Sequence, residues 1–198
     1  AYEIGVRLVG SEMCIRDRTG SGRVRLMDTP GKDSAATNRQ VRHITYAVAL
    51  EGGLRVQITD FPATVRRVLT APRGWESVDD IRFVALNPRQ VAAGARPDIQ
   101  IILASPTLVD RLCYPLQTHG EVSCQNNGRV VLNARRWVGG APSYGDDLDG
   151  YRTYLVNHEV GHALGRGHVP CPGPGQRAPV MLQQTLGLDG CTPYPQPR

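Results

Sequence analysis

The sequence predicts a single α/β (α+β) domain in which helices pack against a mixed β-sheet. Three observations support this prediction. The chain has 198 residues, which is close to the length of one domain. With 40% hydrophobic and 21% charged residues, it has the composition of an ordinary globular protein. Strand-like and helix-like stretches alternate along it, as expected of layered α/β and α+β folds.

Apolar periodicity and turn residues place the elements in the first half of the chain. Residues 41–50 alternate apolar and polar side chains, as a half-buried strand does. A helix is predicted after Asp60, which can cap its N-terminus, with Pro62 in its first turn. The short apolar runs at residues 81–86 and 99–104 fit buried strands of a mixed sheet.

The second half of the chain shows one further strand and one long helix. Residues 105–128 have little periodicity and are predicted to form a loop or a short helix. Residues 129–137 alternate again, as an edge strand could. Asp146 then caps a long helical pattern. No uncharged apolar run approaches the roughly 18 residues of a membrane helix, so we do not expect the chain to span a membrane.

The first forty residues are predicted to lie outside the main domain. Residues 1–18, AYEIGVRLVGSEMCIRDR, resemble translated sequencing-adapter sequence and are predicted to be a non-native leader, the alternative being a genuine short amphipathic leader. Residues 19–40 read as a flexible, polar lead-in with one short edge strand at residues 23–27. The functional domain is therefore expected at residues 41–198. The native N-terminus, with any signal peptide, is then expected to be missing from this sequence.

The net charge of +5 does not by itself indicate a nucleic-acid partner. Of the 23 basic residues all but Lys32 are arginines, and they are scattered along the chain rather than clustered. No nucleic-acid-binding motif accompanies them. We therefore expect no nucleic-acid partner, while a basic surface facing an anionic matrix or an acidic substrate stays open.

The cysteines indicate an oxidising compartment. Without Cys14 of the leader, four remain, and none of them forms a CxxC pair. An even number favours two disulfides and a secreted or extracytoplasmic protein over four free thiols in the cytosol. Of the three possible connectivities, local pairing of Cys113 with Cys124 and of Cys171 with Cys191 closes the shortest loops. We predict this pairing, and each bond would stabilise the fold by roughly 3 kcal/mol.

The strongest functional signal is the motif HEVGHALGRGH at residues 158–168. His158 and His162 are one helical turn apart and project from the same face. Gly165 can adopt the left-handed conformation that ends a helix, which allows His168 to return to the same point. Three imidazoles and an open fourth position are typical of a catalytic zinc site, so we predict one catalytic Zn²⁺.

Glu159 is the predicted catalytic base. It follows the first histidine directly and can hydrogen-bond the zinc water rather than the metal. It would take the proton of that water and deliver it to the leaving amine. The alternative, in which the histidines are core or capping residues of an ordinary helix, does not explain this combination of residues.

At these residues, together with Met181 in APVML, the sequence resembles the metzincin zinc metalloproteases. Within that clan it is similar to an uncharacterised secreted family of actinobacteria. The similarity covers most of residues 41–195. The matching stretches are LASPTLVDRLCYPL, VSCQNNGRVVLN, GYRTYLVNHEVGHALGRGHVPCPGPG and APVMLQQTLGLDGC.

The resemblance implies a zincin-like sandwich with a twisted mixed sheet, an active-site helix and a C-terminal Met-turn subregion. The three histidines would be the metal ligands, Glu159 the base, and Met181 the residue beneath the metal, although a lone methionine is often core filler. Gln183 and Gln184 follow where several metzincin groups carry a tyrosine, so the transition-state donor is unassigned. The implied edge strand that aligns an extended substrate consists of Val130, Val131, Leu132 and Asn133.

Together these features predict a secreted, monomeric zinc endopeptidase that hydrolyses peptide or protein substrates. A different zinc amide hydrolase, acting on cell-wall peptides, is the first alternative, because the motif specifies amide hydrolysis but not the substrate. The second is a non-catalytic metal-binding or adhesion module. Glu159 argues against that module, because a structural metal site needs no base.

Overall fold

The computed structural model describes residues 19–34, 41–54 and 58–198, so the predicted leader at residues 1–18 lies outside it. Within these residues the chain forms six strands. They are β1 (Val24–Met27), β2 (Arg42–Glu51), β3 (Ile81–Ala85), β4 (Ile99–Ala104), β5 (Cys124–Asn126) and β6 (Arg129–Asn133).

Helices connect and cover these strands. The described residues form six α-helices and one short 3₁₀-helix, Pro142–Tyr144. The α-helices are α1 (Phe61–Leu69), α2 (Trp75–Asp79), α3 (Pro88–Ala92), α4 (Pro106–Cys113), α5 (Ala134–Gly139) and α6 (Leu148–Ala163). The predicted mixed α/β class is confirmed at this coarse level.

All six strands belong to one mixed sheet in the order β1-β2-β4-β6-β5, with β3 also paired to β2. Strands β2, β3, β4 and β6 run parallel to one another, whereas β1 runs antiparallel to β2 and β5 runs antiparallel to β6. Near the C-terminal end of β2, Ala49 lies between Leu26 of β1 and Ile102 of β4. The short strand β1 falls within the predicted lead-in and confirms the edge strand expected there.

Both faces of the sheet are covered, which explains why β4 reads as an unbroken apolar run. Ile101 and Leu103 point into the larger core, which the sheet shares with α1 and α6. Ile102 and Ala104 point to the opposite face, where a smaller core forms against α4. This alternation follows from the two-residue period of a strand.

The predicted edge strand at residues 129–137 begins at the right residue, but it is too long and it does not lie at an edge of the sheet. The strand ends at Asn133, whose side chain caps α5 by accepting a hydrogen bond from N of Arg135 at 3.0 Å. Both edges of the strand are paired, with β4 on one side and β5 on the other. Residues 105–128, predicted to be a loop or a short helix, contain both α4 and β5.

The strand β5 joins β6 through the two-residue turn Asn127-Gly128. Both residues have positive φ angles, 49° and 73°. This conformation and the Asn-Gly sequence are typical of the type I′ turn of a tight β-hairpin. The turn was therefore the available signal for β5, and apolar periodicity alone missed it because β5 is only three residues long.

The cap of the long helix is also corrected, by one residue. Asp147 rather than Asp146 precedes α6, and its side chain accepts a hydrogen bond from N of Gly150 at 2.8 Å. Asp60 precedes α1 as predicted, but its side chain makes no capping hydrogen bond. It forms an ion pair with Arg152 at 3.3 Å instead.

Both predicted disulfides are present. The Cys113–Cys124 bond joins the end of α4 to the start of β5. The Cys171–Cys191 bond closes a segment of the chain that contains Met181. None of the helices in the described part of the chain is long and apolar enough to cross a membrane.

Candidate metal centre

The helix that carries the motif is anchored in the middle of the molecule. Helix α6 packs against β5, β6 and α1, and most of its residues from Tyr151 to Gly161 are buried. Tyr151 and Tyr154 pack against Tyr144 of the 3₁₀-helix, with ring centroids 5.6 and 5.7 Å from its own. The Tyr154 ring also packs on the ring of His158, 5.3 Å away. Because these contacts hold the helix in place, its histidines project from a rigid support.

The structure brings the three predicted ligands together. Nε2 of His162 lies 3.2 Å from Nε2 of His158 and 3.1 Å from Nε2 of His168. Two nitrogens bound to one tetrahedral ion at about 2.0–2.1 Å would be about 3.3 Å apart. Among the residues described, these three histidines are the cluster that can hold a metal ion.

The outer nitrogens of two of these rings fix the direction of their inner nitrogens. Nδ1 of His158 lies 2.9 Å from O of Val180, and Nδ1 of His162 lies 2.8 Å from O of Arg166. A carbonyl oxygen only accepts, so each Nδ1 carries the hydrogen and each neutral ring presents a lone pair on Nε2. Lone pairs that converge at about 3 Å repel one another unless a cation lies between them. The donor set therefore fits a metal ion that prefers nitrogen ligands.

The surroundings of His158 and His168 favour the unprotonated form of the imidazole, which is the form that a metal requires. Burial, together with the neighbouring His162 and His168, lowers the pKa of His158 from 6.5 to about 4. Burial also lowers the pKa of His168, again with a contribution from His162. His158 is 5% exposed, while His168 lies at the surface of the loop.

Gly165 makes the turn that returns His168 to the helix. Its φ angle of +87° lies in the left-handed region, where a side chain would be strained. N of Gly165 donates to O of His162, and N of Arg166 donates to O of Gly161, both at 2.9 Å. These hydrogen bonds end α6 in a tight turn, as predicted from the position of the glycine.

Met181 packs against the same helix at Gly161, which lies between His158 and His162. A Cβ on Gly161 would lie only 2.4 Å from Sδ of Met181 and 2.8 Å from Cζ2 of Trp75. Only glycine allows the helix, the methionine and the indole to approach this closely. The residue before Met181 is Val180, whose carbonyl orients His158. The segment around Met181 therefore forms part of the support of the histidine cluster.

Glu159 is buried beside the cluster, with 5% of its surface exposed. It makes no hydrogen bond to any residue that the structure describes, and it lines the same pocket as the three histidines. Burial raises the pKa of its carboxyl from 4.5 to about 8. A nearby cation would act in the opposite direction, because it favours the charged carboxylate.

The cluster lies in an open pocket of about 550 Å³. One wall consists of residues 116–118 and residues 122–125, which include the first two residues of β5. Gln183, Thr185 and Leu186, which follow the methionine, also line the pocket. The predicted substrate strand, Val130 to Asn133, is fully buried and does not line this pocket. The strand next to the pocket is β5.

Comparison with known proteins assigns the family. The family described as "Protein of unknown function (DUF3152)" matches residues 16–194. The chain belongs to this family. No curated protein and no solved structure matches the chain. The DUF3152 description names no activity, and the resemblance to metzincins stays a prediction.

Sequence reasoning did not identify the role of Arg166 in this DUF3152 chain. Its backbone holds His162, and its guanidinium lies 5.1 Å above the ring of Trp75 and forms an ion pair with Asp79. Nε1 of Trp75 in turn donates to O of Asn157 at 2.9 Å. The turn after α6 is thereby fastened to α2. The flanking position alone was also compatible with a solvated arginine, so tertiary contacts were needed to distinguish the two.

The two glutamines after the methionine have different environments. Gln183 is exposed and lines the pocket, whereas Gln184 is fully buried. The Gln184 amide donates to O of Pro179 and O of Tyr194, and it accepts from the hydroxyl of Tyr144 and N of Tyr194, at 2.9–3.2 Å. Gln184 therefore joins the methionine segment to the C-terminal segment. Tyr194 therefore contacts the methionine segment directly, although it lies 10 residues after Gln184.

Proposed function

We propose that this protein is a secreted zinc-dependent endopeptidase. The observation that carries the proposal is the convergence of three histidine Nε2 atoms at an open pocket, beside a buried carboxylate that no described residue pairs. Three nitrogen ligands with an open fourth position are typical of catalytic rather than structural zinc. The resemblance of the same residues to the metzincin motif supports this proposal.

Zinc would be held by His158, His162 and His168, and it would supply a Lewis acid that lowers the pKa of water and polarises a carbonyl. The chain contributes the orientation of these ligands. The carbonyls of Val180 and Arg166 keep Nε2 of the first two rings directed at the common point. A hydrogen bond from the other ring nitrogen fixes both the tautomer and the direction of a ligating imidazole.

Glu159 is the proposed general base. It takes one proton from the water whose oxygen attacks the carbonyl carbon of the scissile peptide. It then delivers that proton to the leaving nitrogen as the C–N bond breaks, so that the products are a carboxyl group and an amine. The absence of a hydrogen bond from the described residues leaves both of its oxygens available to water.

An extended substrate is proposed to lie along β5. Among the described strands β5 pairs only with β6, and its first residues, Cys124 and Gln125, line the pocket. A peptide can add its backbone to such an open edge by main-chain hydrogen bonds. The Cys113–Cys124 disulfide ties β5 to α4, which would keep this edge in register with the histidines.

The two disulfides support the proposed secreted location. Both Cys113–Cys124 and Cys171–Cys191 are local bonds, with sequence separations of 11 and 20 residues. Disulfides persist in oxidising compartments and are rare in the cytosol. One of them encloses Met181, so reduction would loosen the segment that supports His158.

The test combines metal content with hydrolysis. The purified chain should bind one zinc ion and cleave members of a random peptide library, while Glu159→Gln should retain the zinc and lose at least about 100-fold in cleavage rate. Glu121→Gln is the matched control, because Glu121 pairs with Arg135 and Arg136 outside the pocket. Full activity of Glu159→Gln would contradict the mechanism. Zinc binding without hydrolysis of any peptide, including a cell-wall stem peptide, would favour a non-catalytic module.

A further inference from the structure

The described part of the chain contains a pocket whose charged side chains are all positive. Arg166, Arg177 and Arg198 line it, and none of the other described residues that line it is acidic. We call it the arginine pocket. Its volume of about 350 Å³ lies in the range of small-ligand sites. It shares Arg166 with the histidine pocket, but none of the three histidines lines it, so it is separate from the candidate metal centre.

Two of these arginines are held against aromatic rings. The guanidinium of Arg177 lies 5.0 Å from the centroid of the Tyr194 ring, and that of Arg166 lies 5.1 Å from the Trp75 ring. Both rings are fixed, because Trp75 is 3% exposed and because the backbone N and O of Tyr194 are bonded to the amide of Gln184. A planar guanidinium that is already stacked on a fixed ring loses little conformational freedom when it donates to a carboxylate.

Arg177 is available to an anionic ligand. Its guanidinium makes no hydrogen bond or ion pair with the residues that the structure describes, so its ring contact is what holds it. Its backbone is fixed, because it forms a β-bridge with Thr192, and N of Ala178 donates to O of Thr192 at 2.8 Å. Arg166, in contrast, is already paired with Asp79. We therefore expect Arg177 to be the main anion-binding group of the arginine pocket.

Much of the remaining wall of the arginine pocket is apolar. Val78 and Val169 line it although they are 39% and 44% exposed, and Trp75 and Pro179 line it as well. A small inorganic anion would leave these side chains in water, whereas an apolar side chain placed against them would release that water. The two features together favour a ligand that carries an acidic group next to an apolar one. A peptide segment with both kinds of side chain has this chemistry.

We propose that the arginine pocket binds an acidic peptide segment, with a glutamate or aspartate carboxylate on Arg177 and an adjacent apolar side chain against Val78 and Val169. A guanidinium can donate two parallel hydrogen bonds to one carboxylate, which fixes the direction of the ligand. The net charge of +5 attracts such a ligand to the protein. Binding at this pocket does not require hydrolysis, so the inference goes beyond the proposed function and does not rest on it.

The test measures peptide binding by calorimetry to the zinc-loaded Glu159→Gln variant, so that a peptidase would not consume the ligand. The two probes are the terminally blocked peptides leucine-glutamate-leucine and leucine-glutamine-leucine, which differ in one charge. We expect the glutamate peptide to bind about fivefold more tightly. A further Arg177→Gln substitution should remove this preference. Arg89→Gln is the matched control, since Arg89 is exposed on α3 and lines neither the arginine pocket nor the histidine pocket.

A second variant and a third probe test the apolar part of the ligand. Val78→Gln should weaken the binding of both peptides by about threefold, because less apolar surface is then buried. Unchanged Kd values in this variant would overturn the apolar contact. Inorganic phosphate should bind more weakly than the glutamate peptide. If phosphate binds equally tightly and displaces the peptide, the pocket takes a simple anion and the peptide assignment is wrong.

The remaining outcomes concern the carboxylate. Equal Kd values for the two peptides, or no binding of either peptide at millimolar concentration, would overturn the proposal. A preference for glutamate that persists in Arg177→Gln would place the carboxylate elsewhere, for example on the zinc ion, and would overturn it too. The proposed peptidase function fails by a different result, the absence of zinc-dependent hydrolysis in the native chain, which leaves these Kd values unaffected.

Discussion

Replacing Gly161 by alanine would force apart the helix and the segment that support the histidines. The added Cβ would lie 2.4 Å from Sδ of Met181, a flexible side chain, and 2.8 Å from Cζ2 of Trp75. The indole is 3% exposed and its Nε1 is bonded to O of Asn157, so it cannot move freely. Overpacking costs about 1–3 kcal/mol, and a rigid ring places this case near the upper end. Alanine has a better helix propensity than glycine, which offsets about 1 kcal/mol of this cost. The free energy of unfolding should therefore fall by about 2 kcal/mol.

Urea unfolding of the metal-free protein measures this loss directly. The urea concentration at the midpoint of unfolding should fall, while the m-value stays unchanged. Gly139→Ala is the matched control, because Gly139 lies in α5 and a Cβ there would have nothing within 4 Å. That variant should gain up to about 1 kcal/mol. Zinc titration adds a second readout for Gly161→Ala. Displacement of Met181 shifts the neighbouring carbonyl that orients His158, so the zinc Kd should rise by about tenfold.

The effects of substituting Gly161 and Met181 on stability should be coupled. In a Met181→Ala background the cavity left by the methionine accepts part of the added methyl group, so Gly161→Ala should cost less there than in the native chain. If the two losses simply add, the close contact with Met181 is not what excludes a side chain. If Gly161→Ala is as stable as Gly139→Ala and binds zinc equally well, the close-packing argument is refuted altogether.

Two further perturbations test how the chain holds its histidines. In the metal-free protein the contribution of His158 to the free energy of unfolding should fall by up to about 3 kcal/mol between pH 6.5 and about 4, because its imidazole is protonated in the unfolded chain but stays neutral when buried. Glu159, whose pKa is raised to about 8, changes the free energy of unfolding in the opposite direction as the pH falls from 8 to about 4.5. Urea unfolding at several pH values isolates the contribution of His158 as the difference between the native chain and His158→Gln, and a difference that does not change with pH would contradict the prediction. Arg166→Ala removes the contacts with Asp79 and Trp75 and should raise the zinc Kd by about tenfold. Arg73→Ala is the control and should leave the Kd unchanged, because Arg73 is exposed and does not line the histidine pocket. Equal Kd values for the two variants would show that the contacts of Arg166 do not position His162.

Local patterns were sufficient for much of the fold. The apolar run at residues 99–104 coincides with β4, and the alternation at residues 41–50 is displaced by only one residue from β2. In both strands, which residues are buried follows from their position along the strand, so the pattern can be read from consecutive residues. The predicted disulfides are likewise local, and loop length alone was enough to pair them.

The prediction that residues 129–137 form an edge strand was wrong because the edge of a sheet is not a local property. Residues 130–133 carry the same alternation whether one or two strands lie beside them. The hairpin turn at Asn127-Gly128 folds β5 onto their outer side and makes β5 the strand beside the pocket. A three-residue strand has too few positions to show a period.

The sequence by itself determined the three histidines, the glutamate and the glycine turn, because their spacing along one helix and one bend is set by backbone geometry. Tertiary structure decided what surrounds them: the carbonyls of Val180 and Arg166, the contact of Met181 with Gly161, and the buried amide of Gln184. These partners are 4 to 40 residues from the groups they contact. Such contacts exist only once the sheet and helices have packed, because packing, and not sequence separation, brings the atoms within reach.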